Sequence, residues 1–119
     1  MPPRKRAPKE MPFFRFPHSQ ELRDETLAVL DAIDDPDNDP LEYKDELSVV
    51  INSLMDAGMK YFFLVPMKRL QLNAVVYQSG VIGLMGVLGI VAPMVRNVLG
   101  HLSAKQLREV SKIMREMMK

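Results

Sequence analysis

The chain contains no cysteine and no tryptophan, and only two histidines. Without thiols, residue inventory alone excludes disulfides, thiolate nucleophiles, zinc knuckles and iron–sulfur ligation. His18 and His101 stand near opposite ends of the chain, and neither belongs to an H-E-x-x-H pattern. No G-x-S-x-G, G-x-x-x-x-G-K or G-x-G-x-x-G run supplies a nucleophile elbow or a phosphate cradle. A Ser-His-Asp triad assembles in space, so spacing is silent on it. The expectation is a protein that is not an enzyme and has no cofactor and no metal site.

An excess of either charge is lacking too. Lys and Arg number 16 against 15 Asp and Glu, a formal charge of +1, so no global field draws the chain towards nucleic acid. A third absence is local. After Lys68 and Arg69 no charged side chain occurs until Arg96, which leaves residues 70–95 as 26 uncharged, mostly apolar positions. About 20 helical residues cross a hydrocarbon core, so residues 74–95 within this segment are long enough to span one. Basic residues flank it on both sides, and the positive-inside rule therefore sets no orientation. Gln71, Asn73, Gln78 and Pro93 weaken the case for a plain span, as do the glycines within it. Two readings follow: a membrane-inserted or membrane-attached helix, or a helix buried within a soluble bundle or against a second copy.

Within that segment Gly80, Gly83, Gly86 and Gly89 recur at every third residue, a row that drifts by about 60° per step on an ideal helix. They do not form GxxxG, although Ser79 with Gly83 makes one small-xxx-small pair. Helix–helix packing against a close neighbour is the functional reading, and a bend in an ordinary apolar helix is the other. Ser79, Gly80, Gly83, Leu84, Gly86 and Gly89 are accordingly the candidate packing and membrane residues. Leu84 sits at mid-span, where an arginine would cost most.

The remaining segments are organised by proline, capping residues and helical periodicity. Pro2, Pro3, Pro8, Pro12 and Pro17 preclude a regular helix over residues 1–17, which reads as a disordered or surface-laid basic tail. It contains no apolar run of secretory length, so no cleaved signal peptide is expected. Its Arg4, Lys5, Arg6 and Lys9, followed by Phe13, Phe14 and Phe16, pair attraction to anionic headgroups with rings that gain from burial. Nucleic acid is the less favoured partner because recognition would need more basic residues on one ordered face.

Leu22, Val29, Leu30 and Ile33 predict an amphipathic helix over 18–33, and the prolines and carboxylates of 34–40 predict a turn. That turn resembles a calcium loop in its spacing of Asp35, Asp37, Asp39 and Glu46, but Pro40 occupies the position that requires glycine. Helix capping by Asp39 and Glu42 around Pro40 explains the same residues without an ion.

From Pro40 a helix with Leu47, Val50, Ile51, Leu54, Met55, Gly58 and Phe62 on one face should run to Pro66 and kink or end there. Ser103 should cap a last amphipathic helix over 103–118, with Leu107, Val110, Ile113, Met114 and Met117 opposite Lys105, Arg108, Lys112 and Arg115. Ten methionines fit core filler better than an adaptable binding surface.

The sequence thus predicts an all-α protein, a tail over 1–17 followed by one domain of four or five helices over 18–119. It acts as a membrane-associated scaffold or accessory subunit, with membrane lipids, partner helices or a second copy as partners. The alternative is a soluble, cytoplasmic helical adaptor or homo-oligomer.

Overall fold

A computed structural model describes residues 15–118. The tail positions Arg4, Lys5, Arg6, Lys9, Phe13 and Phe14 lie outside the described residues, which contain helices and turns and no strand. The helices are α1 (Gln20–Asp34), α2 (Lys44–Met59), α3 (Val65–Arg69), α4 (Ala74–Gly100) and α5 (Ala104–Met117). A 3₁₀ turn (Pro40–Tyr43) leads into α2, and a π-helical turn (Lys60–Leu64) joins α2 to α3, so Pro40–Arg69 forms one continuous rod of 30 residues.

Side-chain caps set most of the helix starts. Leu22 N–H donates to Ser19 Oγ at 3.0 Å, which starts α1 at Gln20 rather than at His18. Leu41 N–H donates to Asp39 Oδ1 at 3.0 Å, with Pro40 at the first helical position, so this cap serves Leu41 rather than a box with Glu42. Asn73 accepts from Val76 N–H at 2.9 Å, which makes it the start signal of α4 and not a flaw within a span. Before α5, Ser103 and Gln106 cap each other's backbone, at 3.2 and 2.9 Å.

The structure refines two boundaries. The rod does not end at Pro66 but continues to Arg69. Proline lacks an N–H and crowds the preceding turn, and the wider π-turn at Lys60–Leu64 lies where that misfit would fall. The apolar helix starts at Ala74, as the span over 74–95 requires, and runs past Arg96 to Gly100. Gln71, at φ 54°, makes the left-handed turn between α3 and α4.

The core lies where α1, the first half of α2, the end of α4 and α5 meet. Leu30, Ile33, Leu47, Val50, Leu99 and Leu107 are buried there, with Tyr43, Val95, Val110 and Met114 packed around them. Lys44 Nζ donates to the Gly100 carbonyl at 2.9 Å, and Met67 lies against Gly80, so α2–α3 and α4 run antiparallel as a hairpin with its tip at residues 70–73. Along α5 the inward line is Leu107, Val110, Met114 and Met118, whereas Ile113 and Met117, placed on the apolar stripe by periodicity, are exposed.

The basic side of α5 is partly consumed within the fold. Arg108 donates to the carbonyls of Ile33 (3.2 Å), Asp35 (3.5 Å) and Asn38 (3.2 Å), satisfying the end of α1 and its turn. Arg115 bridges Asp31 at 2.7 Å and Asp34 at 2.9 Å, and Ser111 Oγ donates to Asp34 at 3.0 Å. Hydrogen bonding to Asp31 raises the Arg115 guanidinium above its ordinary pKa; burial opposes this, and the hydrogen bond and charge of Asp34 add to the rise. Lys105 and Lys112 are exposed.

Arg108→Met keeps the aliphatic stem and removes these three backbone bonds. At about 0.5–1.5 kcal/mol each, it should lower unfolding free energy in urea by about 1.5–4.5 kcal/mol, while Lys112→Met stays within about 0.5 kcal/mol of the parent.

Candidate functional site

Apolar surface, rather than a cluster of reactive groups, distinguishes this molecule. Two helices among the described residues are long and apolar enough to cross a membrane, Pro40–Arg69 and Ala74–Gly100. The core helix of a soluble protein also passes such a test when it is mostly buried. Here only 11% and 6% of the most apolar windows of the two helices are buried.

The inward line of α4 follows helical spacing through Tyr77, Val81, Leu84, Leu88, Val95 and Leu99, each at least partly covered. The opposite line is Val75, Ser79, Ile82, Gly86, Ile90 and Pro93, all exposed. Ile82 and Ile90 each retain 68% of their surface to solvent, whereas Leu84 retains 9%. On the rod, Tyr61, Phe62, Phe63 and Val65 add further exposed apolar surface near the tip, as do Leu70 and Leu72 in the turn.

The candidate packing residues therefore separate. Gly80 is approached by Met67, whose side chain occupies the space a Cβ would need. Leu84 is sealed within the hairpin. Ser79 is exposed, and at Gly83, Gly86 and Gly89 a Cβ would meet nothing within 4 Å. These open glycines thus have no close neighbour among the described residues.

Phe16, the tail aromatic that is described, lies on Gly58, where an added Cβ would come within 3.3 Å of its ring. It also meets the Phe62 ring edge-on at 6.2 Å between centroids. Periodicity placed Gly58 on the inward face but carried no signal that a ring from the N-terminal segment covers it.

Polar groups are sparse and dispersed. An open groove beside Pro93 is lined by Asn52, Gly89, Ala92, Arg96 and Asn97, and a second by Tyr61, Phe62, Val65, Pro66, Arg69 and Leu70. Neither joins a nucleophile to a base. His101 Nδ1 lies 2.8 Å from the Asn97 carbonyl, and the buried Nε2 of His18, beside Phe16, has no hydrogen-bond partner. Among the described residues no group of three His, Asp or Glu side chains is placed to hold a metal ion. In the acidic turn Asp35 Oδ1 accepts from Asp37 N–H at 2.9 Å while Asp39 caps Leu41, so these carboxylates serve the backbone. The Asp56–Lys60 pair, 2.9 Å apart, is a surface bridge one helical turn long.

No family model matches the chain, and no curated protein and no solved structure is significantly similar to it. Functional reading therefore rests on the hairpin itself.

Because their Cβ positions are open, Gly83→Ala and Gly86→Ala should each stabilise the isolated chain by about 0.5–1 kcal/mol through helix propensity. Gly80→Ala should gain less or lose stability, since Met67 must move. Thermal unfolding of the three variants side by side measures the difference.

Proposed function

We propose that the protein is a membrane-associated helical scaffold or accessory subunit that works by helix packing rather than by catalysis. The observation that supports this reading is the outer line of α4, exposed along a helix of 27 residues that has α2 and the π-turn as its principal neighbours. Monomeric soluble proteins rarely leave contiguous apolar patches above a few hundred Å² facing water. Lipid removes that cost, and the open glycines leave room for a partner helix to approach closely. At the base of the molecule Arg108 and Arg115 clamp α5 to α1 and its following turn. Membrane lipids and partner helices are the partners this surface suits.

A second reading has its own support. The chain's own helices leave the outer line of α4 uncovered, so a water-soluble form needs another surface over it, and a second copy would supply one. In that case the protein is a homo-oligomeric adaptor.

Fractionation of cells expressing the intact chain separates the two. Membrane attachment predicts recovery with membranes and release by mild detergent. The informative variants are Ile82→Arg and Ile90→Arg on the outer line, where a charge opposes burial of the apolar face in lipid whether the helix crosses the bilayer or lies on it. Both should shift the protein to the soluble fraction. Leu84→Arg, the obvious mid-span choice, would break the hairpin under either reading because Leu84 is buried. Recovery of the parent as a soluble, discrete oligomer would establish the adaptor instead.

A further inference from the structure

Between Asp56 and Glu109 the chain has no carboxylate, whereas Lys60, Lys68, Arg69, Arg96, Lys105 and Arg108 all fall in that interval. Lys60 is paired with Asp56, and Arg108 is spent on the end of α1. That leaves Lys68 and Arg69 exposed at the hairpin tip and Arg96 and Lys105 exposed towards the base, on either side of the outer apolar line of α4. The exposed carboxylates of α1, Glu21, Asp24, Glu25 and Asp31, belong to a helix that packs on α2 and α5.

That arrangement opposes a crossing helix. α1 lies alongside the rod, since Leu30 and Ile33 share the core with Leu47 and Val50, and Phe16 reaches Gly58 and Phe62. Driving the hairpin through a bilayer would carry those carboxylates into hydrocarbon, at a cost of several kcal/mol per charge. Only Phe62 to Arg69 projects beyond this cover, about 10 Å of rod at ~1.5 Å per residue, against a hydrocarbon core about 30 Å thick. Tip-first insertion to that depth would also lead with Lys68 and Arg69.

Side-on docking meets neither obstacle. Building on the membrane reading above, we propose that α4 lies in the plane of an anionic lipid surface. Its line Val75, Ile82, Gly86 and Ile90 dips into the acyl boundary, while Lys68 and Arg69 at one end and Arg96 and Lys105 at the other hold lipid phosphates. Apolar burial supplies attachment, and the flanking cations make it depend on lipid charge.

The absence of native cysteine makes a labelling test direct. Full-length Ile82→Cys and Ile90→Cys, each carrying a polarity-sensitive dye, are mixed with vesicles of phosphatidylcholine alone or with phosphatidylglycerol added. The expected result is binding at least tenfold tighter to the anionic vesicles, with both labels at the same shallow depth by quenching. Lys68→Gln and Arg69→Gln should each weaken that binding by roughly fivefold.

Equal binding to both lipids overturns the in-plane proposal and leaves the membrane reading intact. So do labels whose depths differ by about 12 Å, the rise between the two positions in a crossing helix. No binding to either vesicle, with the dyes buried in a soluble dimer, overturns both.

Discussion

Leu84, Val95 and Leu99 press α4 against the rod, and this contact sets what the rest of the chain has to accommodate. A helix apolar around its whole circumference can satisfy only one side with one neighbour. α1 and α5 do not enclose it; they pack on α2, on the 3₁₀ turn and on each other. Half of α4 is therefore held by the fold and half is left for something outside the described chain. Gly80 shows the difference between the two halves, because Met67 fills the place of its side chain while Gly83, Gly86 and Gly89 face open space.

The base is built on the opposite chemistry. Acidic side chains concentrate on α1, its following turn and the start of α2, where Arg115 of α5 meets two carboxylates and Arg108 meets backbone carbonyls. Arg108 takes over the hydrogen bonds that the end of α1 cannot make for itself, and Arg115 holds the two carboxylates of its last turn. Small residues let the helices close up here, as Ser111 does beneath Asp34. The molecule thus divides into an ionic, hydrogen-bonded base and an apolar hairpin whose unpaired charges are positive, and the proposed function draws on that division.

Much of this was legible from local rules. The all-helical fold, the turn at 34–40 and the caps at Asp39 and Ser103 follow from i, i+3 and i+4 relations and from the needs of free backbone groups at helix ends. The uncharged stretch over 70–95 marked an apolar helical segment but left open whether it inserts in a membrane or is buried, and carried no sign of the hairpin. Local rules were less sure where two local effects compete. Proline allows a kink or an end at Pro66, and the π-turn lets the rod continue to Arg69. Asn73 looked like a polar blemish on a span and is the cap that begins it.

By itself the sequence determined which stretches are helical, which are apolar and where charge is missing, because these depend on residues within a turn or two of one another. Tertiary structure alone decided which side of α4 is covered. It also made Leu84 an interior residue and Ile82 an exterior one, spent Arg108 and Arg115 on α1, and set Phe16 on Gly58. Each of those outcomes joins residues that are far apart in the chain or depends on a neighbouring helix. Such relations are set by how whole helices pack, and no local spacing encodes them.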